Sequence, residues 1–263
     1  MLRTLAFSLL AVFFLASCED GDGNSDKIYG YNVDSVVVDT AVHLTSDAHS
    51  PQCELHICLR YIHDEKSLND SLMSAGFILP EYFPTRNLPV DQLASAIAQK
   101  CIDSYRQQFT ALYESDRSNA NQYHYIYKVY TETLQGPDST LCYVAHVLTG
   151  NAGEQEWQTT AKNFKLPSGH LLTLDDIFVP GYNNSLLRII TAKLMKQFHA
   201  DSEEDLKEKG VFANEEPYLP DNFIYSKRRI VFFYAPDEVA PHNAGELRIE
   251  VSRNEIKELL KQQ

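Results

Sequence analysis

Apolar and polar side chains alternate over Val33 to Thr45 and again over Gln52 to His63, with many β-branched residues, and this period of two predicts two strands. Pro80, Pro84 and Pro89 then punctuate a loop. Beyond Pro89 the period changes. Leu93, Ile97, Cys101, Ile102, Tyr105, Phe109, Leu112 and Tyr113 fall on one face of a helix of roughly 25 residues, with Asp91 near its start. Three further strands follow, over Tyr123 to Tyr130, Leu141 to Thr149 and Glu156 to Leu166. They are separated by the turn residues Gly136-Pro137-Asp138 and Gly150-Asn151-Ala152-Gly153, which makes them an antiparallel meander. Thr173 and Asp176 have the spacing of a capping box, and a helix is expected over Ser185 to His199, carrying Leu186, Ile189, Ile190, Leu194 and Phe198 inward. A charged helical turn over Glu203 to Lys209 ends at Gly210. Strands over Phe223 to Tyr225, Ile230 to Tyr234 and Glu246 to Val251 come next, and a short helix over Asn254 to Lys261 is expected to close the chain. Strands and helices are segregated rather than alternating, so the fold class is α+β, with antiparallel sheets packed on one long helix. The pattern divides the folded part into halves at 30–150 and 151–263.

The start of the chain carries a different pattern. Arg3 precedes an apolar run from Leu5 to Leu15, followed by Ala16-Ser17-Cys18. A basic start, a short apolar run and small residues before a cut define a secretory signal. The run falls short of the about 20 apolar residues needed to span a bilayer. Leu15-Ala16-Ser17-Cys18 matches the lipobox, in which the cysteine thiol receives a lipid. Residues 1–17 are therefore expected to be a lipoprotein signal peptide and Cys18 the lipid anchor, the only attachment to a membrane. Residues 18–29 are acidic and poor in apolar side chains, as a flexible tether requires. Asp20, Asp22 and Asn24 have the alternate spacing of a calcium loop, but Ser25 stands where its turn glycine belongs.

The formal net charge of −13 argues against nucleic acid or an anionic lipid surface as partner and leaves cationic partners open. Four cysteines follow Cys18. Cys53 and Cys58 would face opposite sides of one strand and so do not pair there. The alternation Leu55, Ile57, Leu59, Tyr61 explains the Cys53-His56-Cys58 segment as a half-buried strand, and no metal site or cofactor is expected.

No HExxH, GxSxG, Walker A or GxGxxG pattern occurs, so no catalytic residue is assigned. Asp175 and Asp176 are explained by capping and the helix dipole. Gly150, Gly153 and Gly245 are expected at positive φ. Tyr123, Tyr125 and Tyr127 share a face and either form an aromatic platform or cover the long helix; covering the helix is the expectation. His146 reads as a satisfied, half-buried strand histidine, whereas His242, in a loop, is the better functional candidate.

Three segments taken together point to a family: Leu148 to Gly153, Phe164 to Phe178, and Tyr234 to Gly245 with Ile249-Glu250-Val251 after it. They resemble the extracytoplasmic domain shared by the RsiV anti-sigma factor and the PdaC peptidoglycan deacetylase, over roughly residues 145 to 260, and the C-terminal half of that family is a domain of unknown function. The acidic run after Cys18 resembles the surface-export signal of Bacteroidetes lipoproteins. The resemblance implies an α+β fold and an envelope setting, at the cell surface or the periplasmic face of the outer membrane. It also implies binding of a macromolecular ligand, either a cationic protein such as lysozyme or a peptidoglycan fragment. Where the family loop reads Gly-Gly-Ala-His-Gly, this chain has Gly150-Asn151-Ala152-Gly153-Glu154. The transmembrane part of the anti-sigma factor and the deacetylase domain are not seen, so neither activity carries over. A non-catalytic binding or sensing module is the leading expectation, with Asn151, Glu154, Tyr234 and His242 as candidate ligand-binding residues. An envelope glycan or peptide hydrolase, or a structural subunit of a surface complex, are the alternatives.

Overall fold

A computed structural model describes residues 27–74, 88–151 and 153–262. Seven strands form one sheet in chain order: β1 (Lys27–Ile28), β2 (Tyr31–His43), β3 (Gln52–Ile62), β4 (Tyr125–Gln135), β5 (Thr140–Asn151), β6 (Glu154–Lys165) and β7 (His170–Leu172). All neighbours are antiparallel except β3 and β4, which run parallel. A parallel step needs a long crossover. Two helices lie in that crossover, α1 (Lys66–Met73) and α2 (Val90–Ser115). The signal, Cys18 and most of the tether lie outside the described residues, as do Pro80 and Pro84. The tether as read from sequence overlaps β1, because Ile28 is 3% exposed and joins the core.

The long helix ends close to where its period predicts. Leu93, Ile97, Ile102 and Tyr105 are buried against Cys53, Leu55, Ile57 and Leu59 of β3 and the inward residues of β4 and β5. Each such side chain contributes about 1.5–3 kcal/mol on burial. Leu112, expected inward, is 50% exposed because Tyr113 takes the inward place in the last turn, edge-on to Tyr123. Tyr123, Tyr125 and Tyr127 pack beneath α2 with Tyr105 and Phe109, and the Tyr105 hydroxyl donates to the Tyr123 carbonyl at 2.9 Å. They are core, not a platform. α1 buries Leu68, Leu72 and Met73, and Asn69 anchors it: its side chain both accepts from Ile62 N at 2.8 Å and donates to Ile62 O at 2.6 Å.

The C-terminal part builds its own core. The capping box is present, with Thr173 N donating to Asp176 at 2.8 Å, and it starts the short helix α3 (Leu174–Ile177). Helices α4 (Asn183–Gln197) and α5 (Glu203–Glu208) pack with a three-stranded antiparallel sheet ordered β10 (Leu247–Ser252), β9 (Arg229–Tyr234), β8 (Asn222–Tyr225). The expected closing helix is absent. Residues 253–259 form successive turns, and the segment instead straps α3: Val179 N donates to Leu259 O and Lys261 N to Ile177 O.

The two parts meet along β6. Because β7 pairs only with Asn163, Phe164 and Lys165, the rest of the β6 edge has unpaired backbone groups. Side chains from the C-terminal part fill them. Asn222 accepts from Ala161 N at 2.8 Å and donates to Thr159 O at 2.6 Å, and Glu246 accepts from Thr159 N. In return Asn163, 1% exposed, donates to Phe223 O at 2.8 Å and accepts from Tyr225 N at 3.0 Å. Cys142, Val144 and Ala161 pack with Ile224 alongside, and Gly136 lies so close to the Tyr225 carbonyl that a Cβ there would sit 2.6 Å from it. The boundary drawn at 150/151 falls in the β5–β6 turn, one strand pair before this seam.

Asn163→Ala leaves a buried carbonyl and a buried amide without partners, each costing about 1–3 kcal/mol. Urea unfolding should therefore show a loss on the order of 3 kcal/mol, well beyond that of Asn119→Ala on the exposed surface.

Candidate functional site

The seam brings two loops together that lie far apart in sequence. The β5–β6 hairpin closes by pairing Asn151 with Glu154. Gly150 is required there, since its φ is +142° and a Cβ would lie 2.0 Å from the Glu154 carbonyl. Asn151 tightens the turn, its Oδ1 accepting from the amides of Gly153 and Glu154 at 3.1 Å each. Gly150 and Gly245 adopt the expected positive φ. Glu154 and Glu156 are two apart on one strand and so point to the same side.

The opposing loop follows β9. Glu238 closes its first turn, accepting from Ala235 N at 2.6 Å and from the Tyr218 hydroxyl at 2.7 Å. Asp237, at the turn, has φ +60°, a conformation that aspartate tolerates better than most residues. The loop is tied down by Phe212 N donating to Val239 O at 2.8 Å, with Val239 4% exposed. Pro241 then opens a single 3₁₀ turn over His242–Ala244.

At the junction His242 lies among three carboxylates. Its Nδ1 is 2.8 Å from Asp237 Oδ2 and 4.0 Å from Glu156 Oε1, and its Nε2 is 3.4 Å from Glu154 Oε1. The hydrogen bond and charge of Asp237, with Glu154 and Glu156 behind them, raise the His242 pKa above its ordinary value. The four side chains are well exposed, so the pairs stabilise the fold little. What they produce is a concentrated patch of negative potential on a rigid surface.

Behind the patch, Glu246 is pushed above the usual carboxylate range, mainly by burial at the seam, against the opposing pull of its bond to Thr159. His146 sits nearby as the sequence suggested, bonded to Thr159 Oγ1 at 3.2 Å and Glu132 Oε1 at 3.1 Å.

Of the four sequence candidates, the junction unites Glu154 and His242 directly. Asn151 shapes the hairpin from behind. Tyr234 is a correction: it is fully buried, its hydroxyl donates to the Tyr218 carbonyl, and it packs edge-on to Phe212 and Tyr218. An alternating strand places it inward, so no ligand reaches it. Glu156 and Asp237 were missed. Glu156 has the same-face spacing with Glu154 as a signal, but nothing local links it to position 237. Cys53, His56 and Cys58 do not converge, since Cys53 lies under α2 while His56 stacks near Tyr130 on the opposite face. Among the described residues no two cysteines are joined in a disulfide. Burial pushes the Cys53 and Cys101 thiols up to about 12.

Residues 175–254 match DUF3298, a protein family of unknown function. A crystal structure of a DUF3298 family member from Bacteroides fragilis shares the fold, with a TM-score of 0.75 and 23% identity, covering 88% of this chain and 94% of that one. A DUF3298 family protein from Pseudomonas aeruginosa is more distant, with a TM-score of 0.52 and 10% identity, covering 87% of this chain and 94% of that one. No curated protein matches the chain. The C-terminal resemblance is thus to a domain of unknown function, as the sequence motifs implied, and the α+β architecture is that of these solved structures.

Two titrations follow from these environments. The NMR-monitored midpoint of His242 should lie above 6.5 and fall in Asp237→Asn; the stability that its protonation adds is complete below about 6.5 and is lost as pH rises through the raised folded value. For Glu246 the raised folded pKa means stability falls as pH rises from the ordinary glutamate value, about 4.5, to the folded one. In Glu246→Gln the melting temperature should lose that part of its pH dependence, since glutamine keeps the acceptor for Thr159 N.

Proposed function

We propose that the chain is a cell-envelope lipoprotein, anchored through Cys18 at the outer membrane, whose folded body binds a cationic macromolecular ligand at the junction of the β5–β6 hairpin and the β9–β10 loop. The observation that carries this reading is the convergence of Glu154, Glu156 and Asp237 around His242 on a supported surface. The overall charge of −13 points the same way. Complementary potentials speed encounter and set orientation, and a lipid tether would keep the patch presented to envelope components. Lysozyme, a strongly basic protein, is the ligand class that fits; a peptidoglycan fragment fits through its amines rather than its carboxylates.

Binding is favoured over hydrolysis by what surrounds the imidazole. Among the described residues its close partners are carboxylates, and no hydroxyl or thiol is poised beside it for activation. No described helix is long and apolar enough to cross a membrane.

Calorimetric titration of the purified chain with lysozyme and with muropeptides tests the reading. Saturable binding to lysozyme that weakens steeply between about 50 and 500 mM salt is expected. Replacing Glu154, Glu156 and Asp237 together by lysine should lower the affinity at least tenfold. Absence of binding by both ligands, or equal binding by the triple variant, would remove the proposal.

A further inference from the structure

We infer that the same junction is a binding site for a divalent transition-metal ion, with His242 Nδ1, Asp237 Oδ2 and Glu156 Oε1 as its ligands and Glu154 holding the other ring nitrogen. This rests on the junction being a binding surface but not on the identity of its macromolecular ligand.

Three features carry it. First, the donors are already gathered: one atom from each of Glu156, Asp237 and His242 lies within 4.8 Å of the others. Bonds of about 2.0–2.2 Å around one ion place neighbouring donors roughly 3–3.5 Å apart. The separations of 2.8 Å and 4.0 Å from Nδ1 straddle that range, so small rotations of exposed side chains complete the shell.

Second, the two imidazole nitrogens have different surroundings. Nδ1 faces the two ligating carboxylates, while Nε2 faces Glu154 Oε1 at 3.4 Å. A metal-bound histidine commonly donates its other ring N–H to a carboxylate, which fixes the tautomer and strengthens the ligand. Glu154 stands in that place. It is contributed by the hairpin turn, whereas the imidazole comes from the β9–β10 loop, so the arrangement arises only across the seam.

Third, the donor chemistry is selective. An imidazole with carboxylates suits zinc and its neighbours, whereas calcium and magnesium prefer oxygen alone. Three protein ligands leave a fourth position for water or for a donor from a bound partner. Desolvation keeps the Cys53 and Cys101 thiols neutral, so neither competes as a thiolate ligand. Glu156 belongs to the N-terminal part, and Asp237 and His242 to the C-terminal part. An ion there would therefore link the two parts at the end of the seam.

The test is calorimetry of the purified chain, treated with chelator, against zinc chloride at pH 7.5, with calcium and magnesium chloride alongside. One equivalent of zinc should bind saturably, at least tenfold more tightly than calcium or magnesium, and should raise the melting temperature. His242→Gln and Asp237→Asn should each weaken zinc at least tenfold and abolish the thermal shift, with unchanged circular dichroism because both side chains are exposed. Glu154→Gln should weaken it less. No saturable zinc binding, equal affinity for calcium, or binding unchanged in His242→Gln would overturn the site. Lysozyme titrated into the chelated chain is read separately, so failure of either reading leaves the other standing.

Discussion

The structure depends on how the open edge of β6 is closed. A strand whose amides and carbonyls face outward invites pairing with another chain. Here Asn222 and Glu246 supply the missing partners for Thr159 and Ala161, and Asn163 reaches back to the backbone of β8. These bonds replace a continuous ladder by side chains that fit only one register. They dock the C-terminal sheet against the seven-stranded sheet without merging the two, and they place a carboxylate, Glu246, where burial raises its pKa.

The chemistry at the surface follows from that docking. With β8 and Glu246 fixed against β6, the loop leaving β9 lies alongside the first residues of β6. His242 and Asp237 then meet Glu154 and Glu156, although the two pairs are separated by most of the C-terminal domain. Neither loop alone presents more than two of these groups. The same arrangement serves a basic protein surface through its charge and a small divalent ion through its donor atoms. Both properties come from rigid turns, one closed by Asn151 and one by Glu238.

Much of the fold was legible in the sequence because periodicity reports burial. The α2 face, the strands β3, β5 and β6 and the capping box of Thr173 and Asp176 appear close to where the pattern places them, whereas β4 starts at Tyr125 and runs on to Gln135, beyond the Tyr130 expected. The misses have physical causes. α1 spans only about two turns, so its buried Leu68, Leu72 and Met73 leave a short pattern, and Asn69 adds two bonds to Ile62. Residues 253–259 form turns closed by local bonds such as Leu259 N to Ile256 O, and the segment is tied to the end of α3 through Leu259 O and Lys261 N. Tyr234, at the end of its expected strand, is core rather than ligand-facing, since its hydroxyl finds a carbonyl partner inside. Half of the candidate site was visible as Glu154 and His242, each through its own loop. Their meeting, and the recruitment of Glu156 and Asp237, depends on non-local contacts across the seam, which no local pattern encodes.

Native-state hydrogen exchange at two amides tests the central claim most directly. If side chains close the β6 edge, the amides of Thr159 and Ala161 should exchange only on opening of the seam, slowed at least a thousandfold, as befits a local opening free energy of about 4 kcal/mol or more. Exchange at the rate of exposed, unbonded amides would show the edge to be open, and the junction of the two loops would then have no fixed geometry.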